Sequence, residues 1–142
     1  MTHPENDDVV FLNHVLSAWE RGDKERATTR FLQINWDEPA ALADMSVLHT
    51  TKEQYDALTQ NKQIRFMQDA KELSTKLRET GMHILTAGDN ALSSGDKQLT
   101  KAHYDAVLRC SQAILSKDRF ELFILTAKGL NKVADDKLSA VE

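Results

Sequence analysis

The sequence predicts an all-α protein of antiparallel helical hairpins, repeat-like or an irregular bundle, with one long central helix. Three observations carry this. Apolar residues recur at spacings of three and four in at least five segments. Only two prolines and five glycines interrupt 142 residues. Ala, Leu, Lys, Glu, Gln and Asp are plentiful, a balance that favours helix over strand. With 41% hydrophobic and 28% charged residues the chain is too apolar to remain disordered. Its length fits one domain, expected over residues 9–142 behind a flexible tail of residues 1–8.

That domain divides into an N-terminal hairpin (9–35), a connector (36–50) and a helical bundle (51–142). In the hairpin, Leu12, Val15, Leu16 and Trp19 form the apolar stripe of a first helix. Ala27, Phe31 and Ile34 do the same for a second over residues 24–35, and Gly22 supplies the tight turn between them. In the connector, Asp37 is placed to cap a short turn beginning at Glu38-Pro39, where proline is tolerated in a first helical turn. Thr50 with Glu53, or Thr51 with Gln54, has capping-box spacing and predicts a short helix through Leu58.

The longest helix is predicted over residues 62–92, where Phe66, Ala70, Leu73, Leu77, Gly81, Ile84, Gly88 and Ala91 alternate spacings of three and four. At a rise of ~1.5 Å per residue it spans about 45 Å. Gly81 and Gly88, seven apart on that stripe, predict close approach of a neighbouring helix or a kink. After Ser93-Ser94-Gly95-Asp96, a further stripe runs through Leu99, Ala102, Ala106, Val107, Cys110, Ala113 and Ile114. The last helix is predicted to begin near Lys117-Asp118. Its segment from Phe120 to Leu125 is apolar on nearly every side, which marks a helix covered on several faces or pressed against another chain.

A weak internal repeat is present. Gly22-Asp23-Lys24 and Gly95-Asp96-Lys97 each join two helices, and each glycine is followed nine residues later by an aromatic, Phe31 or Tyr104. The two hairpins resemble the tetratricopeptide repeat, whose pattern is W-x2-L-G-x2-Y, then A-x3-F, then P. Ala27, Phe31 and Pro39 occupy the Ala, Phe and Pro positions in the first hairpin, and Gly88 and Tyr104 the Gly and aromatic positions in the second. The match covers about 60 residues in two pieces. Such a resemblance implies binding of a peptide or partner helix in a groove lined by the first helix of each repeat. Where some members grip a terminal carboxylate with Lys, Arg and Asn, this sequence has Leu12, Leu16, Leu85 and Asp89, so no carboxylate clamp is implied.

Composition and motifs narrow the function. A net charge of −4 offers no basic field for phosphates. Along the long helix Lys62, Arg65, Lys71, Lys76 and Arg78 are interrupted by Asp69, Glu72 and Glu79, with Glu72 and Lys76 able to pair, so no nucleic-acid partner is expected. No apolar run is long enough to span a bilayer, no signal peptide is recognisable, and the lone Cys110 excludes an internal disulfide, so a cytoplasmic location and no membrane partner are expected. His-Glu-x-x-His, Glu-x-x-His and P-loop strings do not occur. No cofactor or bound metal is expected.

The expected function is protein–protein interaction without catalysis, the partner being an unidentified protein or peptide or a second copy in a homodimer. Leu122, Phe123 and Ile124 are the expected contact residues. The enzymatic or metal-binding alternative uses His103 and Cys110, seven apart on one helix face, with His83 and Glu79 on the preceding helix. A third reading, ligand binding inside the bundle, needs a cavity lined by residues such as Phe66, Met67 and Phe123.

Overall fold

The computed structural model describes residues 11–42 and 45–141. The tail expected over residues 1–8, and the expected helix start at Val9, lie outside the described residues. Among these the regular structure is helical throughout, with no strand. The elements are α1 (Leu12–Glu20), α2 (Lys24–Gln33), a 3-10 turn (Pro39–Leu42), α3 (Ser46–His49), α4 (Lys52–Asp56), α5 (Gln60–Ser93), α6 (Lys97–Leu115) and α7 (Glu121–Val141).

The two Gly-Asp-Lys tripeptides build the same joint. Gly22 and Gly95 take φ of 81° and 84°, a left-handed conformation that only glycine adopts without strain. Gly22 N–H donates to Trp19 O and Asp23 N–H to Ala18 O; Gly95 N–H donates to Leu92 O and Asp96 N–H to Ala91 O. This paired pattern is the Schellman stop, which satisfies the orphan carbonyls of the preceding helix. The aspartate then caps the next helix: Asp23 accepts from Arg26 N–H at 3.1 Å, and Asp96 from Leu99 N–H at 3.0 Å. Each joint ends one helix and starts the next within three residues, which makes α1–α2 and α5–α6 antiparallel hairpins.

The connector carries more structure than its weak periodicity suggests, since it holds both the 3-10 turn and α3. Thr51 and Gln54 form the reciprocal capping box of α4, at 3.2 and 3.0 Å. Helix α5 runs for 34 residues, roughly 51 Å at the standard rise. With α6 and α7 it forms an antiparallel three-helix bundle, and the α1–α2 hairpin lies against α5 and α6. Leu77, Ile84, Val107, Ile114, Phe123 and Leu130 are among the buried side chains at its centre. At one end Tyr55, Phe66 and Phe120 stack with ring centroids 5.0–5.4 Å apart.

Three sequence expectations are corrected. Leu99 and Ala102 are exposed rather than part of the buried stripe of α6, and Thr100, His103 and Tyr104 take the core positions instead. Lys76, expected to pair with Glu72, reaches across to Glu20 on α1. The last helix begins at Glu121 rather than near Lys117, because Arg119 is drawn inward and holds the preceding turn.

Gly81 and Gly88 both mark close approach, and what approaches is a side chain. A Cβ built at Gly81 would lie 2.8 Å from Leu130 Cδ2 on α7; one at Gly88 would lie 2.6 Å from Tyr104 Cε1 on α6. The aromatic ring is fixed, since Tyr104 OH donates to Asp89 at 2.5 Å, and Lys137 of α7 donates to the same carboxylate at 3.0 and 3.1 Å. Leu130 has no such tether and can change rotamer. Replacing a helical glycine by alanine gains about 1 kcal/mol of helix propensity, whereas overpacking costs about 1–3 kcal/mol. Gly81→Ala is therefore expected to be close to neutral and Gly88→Ala, whose neighbouring ring cannot yield, to destabilise by up to about 2 kcal/mol net. Urea denaturation of both variants checks this, and a Gly88→Ala protein as stable as the parent would show that the Tyr104 ring is not held.

Candidate functional site

Of the four residues of the catalytic or metal alternative, Cys110 and His103 are buried, His83 is half-buried and Glu79 is exposed. Cys110 is buried, and burial alone pushes its thiol up to about 12, far from the thiolate that nucleophilic or metal chemistry requires. His103 is buried too, with Nδ1 2.7 Å from Leu99 O one turn back. That contact assigns the proton to Nδ1, which donates to the carbonyl. His83 is half-buried edge-on to Trp19 at 5.3 Å; burial first, and then the Lys24 ammonium, holds its pKa below the usual value. Glu79 is exposed. Among the described residues no group of three His, Cys, Asp or Glu side chains is placed to hold a metal.

Phe66 and Phe123, expected to line an internal ligand cavity, are packed core side chains, Phe66 within the aromatic stack. The three expected contact residues on α7 are separated by the helix itself, since consecutive residues point about 100° apart. Phe123 is fully buried, Leu122 is half-buried on the α5 side, and Ile124 is half-buried near Tyr55 and Phe120.

Two of the concave surfaces combine features that bear on function. The first is an apolar groove of about 540 Å³ between α5 and α7, on which Ser74, Arg78 and Met82 of α5 face Leu122, Leu125, Gly129 and Val133 of α7. Those α5 residues are spaced by four and so form one ridge. Met82 is 41% and Leu125 59% exposed, the latter the most exposed large apolar side chain described. A hydrogen bond between Ser74 and Thr126 at 2.5 Å ties the two helices beneath the groove. Gly129 has open space where its Cβ would stand, so the α7 surface there is a notch one turn from the Leu125 knob.

The second is a cavity of about 470 Å³ where the connector meets the α6–α7 turn, walled by Trp36, Ala41, Leu42, His49, Ala113 and Arg119, with Asp37, Glu38 and Lys117 also on it. Arg119 is 5% exposed. Its Nε donates to Ile114 O at 3.0 Å, at the C-terminal end of α6, and its Nη1 to Leu48 O at 3.4 Å and His49 Nδ1 at 3.0 Å. His49 Nε2 lies 2.6 Å from Leu42 O, so the ring carries its proton there and accepts at Nδ1. Burial lowers the arginine pKa from its usual value, yet guanidinium stays charged in proteins. Among the described residues no carboxylate forms an ion pair with it. The Trp36 indole N–H is buried without a partner.

Sequence reasoning missed Met82, Gly129, Trp36, His49 and Arg119. A knob and notch four apart on α7 were readable in principle from Leu125 and Gly129; the Arg119 cluster was not, because its partners lie about 70 residues away. No family model, curated protein or solved structure matches this chain.

The buried thiol gives a direct check. Its folded pKa of about 12 exceeds the ordinary 9.0, so the stability it contributes is complete below pH 9.0 and lost as pH rises toward about 12. Iodoacetamide at pH 8 should leave Cys110 unmodified in the native protein and alkylate it in urea. Stability should also fall less steeply above pH 9.0 in Cys110→Ala. Prompt alkylation of folded protein would return the residue to the list of reactive groups.

Proposed function

We infer that this protein works by binding another polypeptide rather than by catalysis, and that the α5–α7 groove is its contact surface. The single observation carrying this is the juxtaposition on one helix face of the Leu125 knob, 59% exposed, with the open notch at Gly129. Exposed apolar surface costs solubility unless something covers it, and a groove between two long helices fits a third helix laid along it. The occupant is the α7 helix of a second copy. Knob and notch on the same face allow a two-fold pairing in which each Leu125 enters the other chain's Gly129 notch, the self-complementarity that a symmetric dimer requires. Among the described residues lining the groove Arg78 is the one that is charged, so charge does not oppose such pairing along most of its length. The tetratricopeptide-like hairpins support the same reading, because that resemblance implies helix or peptide binding without active-site chemistry.

Sedimentation equilibrium at micromolar concentration tests it. The parent protein is expected to be a dimer, and Leu125→Glu a monomer with unchanged helical content. Substituting an exposed residue removes no monomer core, so its melting temperature extrapolated to low concentration should move little. A monomeric parent, or a dimer unaffected by Leu125→Glu and by Gly129→Ile, would overturn the assignment.

A further inference from the structure

We propose that the cavity walled by Trp36, His49 and Arg119 is a binding site for a small organic monocarboxylate with a flat apolar body. The site is independent of the α5–α7 groove, and neither proposal needs the other.

Arg119 has donors to spare. Guanidinium carries five N–H groups. Three are used, by Ile114 O, Leu48 O and His49 Nδ1. These partners satisfy hydrogen bonds but bring no negative charge, and the Nη2 amino group has no partner among the described residues. A buried cation is costly unless a counter-ion meets it, and among the described residues this one meets none, on the wall of a cavity large enough for a small ligand. Trp36 adds an aromatic surface to the same wall.

The walls then select among anions. With Nε and both Nη1 protons fixed on backbone carbonyls and His49, the Nη2 amino group is the donor left, held in place to hydrogen-bond a carboxylate oxygen. Trp36, Ala41, Leu42 and Ala113 give the remaining surface an apolar character suited to a ring or short chain. Asp37 and Glu38 are exposed on the same cavity and repel a doubly charged phosphate more than a monoanion, while Lys117 supplies one further cation. The combination favours a single carboxylate on an apolar body.

Titration with sodium benzoate, followed by tryptophan fluorescence in Trp19→Phe protein so that Trp36 is the sole reporter, tests the proposal. A saturable change is expected with benzoate, a weaker one with acetate, and none at equal concentration with inorganic phosphate. Arg119→Gln should weaken benzoate binding at least tenfold. Because Arg119 also braces the α6–α7 turn, a second variant, Ala113→Leu, fills the cavity while sparing the arginine; it should abolish the response with an unchanged circular dichroism spectrum. Absence of saturation in the parent, a response surviving both variants, or phosphate binding as tightly as benzoate would each overturn the assignment.

Discussion

The bundle turns on one contact, the seating of the Tyr104 ring against Gly88. Only a residue without Cβ lets α6 come this near α5, and the phenol then reaches Asp89 one residue along. Lys137 closes the arrangement from α7, donating to the same carboxylate and lying 5.8 Å from the ring centre. Three helices are therefore joined at a point where each supplies a different element: a gap, a ring, and a charge. The electrostatics follow. Burial raises the Asp89 carboxyl, but the Tyr104 and Lys137 hydrogen bonds and the ammonium charge outweigh it and hold the pKa below its ordinary value. Burial and then Asp89 push Tyr104 up to about 12, so the ring keeps its donor proton throughout the neutral range.

Local chemistry was the legible part of the fold. The Gly-Asp-Lys recurrence that the sequence presents as a weak repeat is, physically, one joint used twice: a left-handed glycine, two return hydrogen bonds and an aspartate cap. These interactions span a handful of residues, so their signal is complete in the sequence. The phase of α6 was not legible, because apolarity selects Leu99 and Ala102 while the fold buries Thr100, His103 and Tyr104. Thr100 and His103 enter the core cheaply by bonding carbonyls of their own helix, at 2.9 Å to Asp96 O and 2.7 Å to Leu99 O. A polar side chain satisfied one turn back presents an apolar flank to its neighbour, a property that no hydrophobicity scale records.

The surfaces follow the same division. That the segment from Phe120 to Leu125 exceeds one core stripe was readable from periodicity alone. Which of its residues faces outward was not, because that depends on the side from which α5 and α6 cover α7. The structure spends Phe123 on the core, half-covers Leu122 and Ile124, and leaves Leu125 out. Arg119 lies further from reach. Lys117-Asp118-Arg119 reads as a polar turn, and only tertiary folding brings Leu48 and His49 to the arginine.

An account of polar groups separates residues that maintain the fold from those with capacity left for a ligand. His14 accepts from the Phe11 N–H at the start of α1, Ser111 donates to Leu108 O with Asn131 Oδ1 3.1 Å away, and Ser74 is bonded to Thr126 across α5 and α7. His103, His49 and Tyr104 are likewise engaged inside the molecule. Each would have to break a native bond before acting on anything else, at about 1–3 kcal/mol for a group left buried and unpaired. Arg119 differs: among the described residues its Nη2 amino group has no partner and its charge meets no carboxylate, and it stands on a cavity wall. Among the described residues the Trp36 indole N–H and the Thr80 hydroxyl are buried without a partner, whereas the spare amino group of Arg119 belongs to a cavity-wall cation, a feature that hydrogen bonding within the fold does not explain.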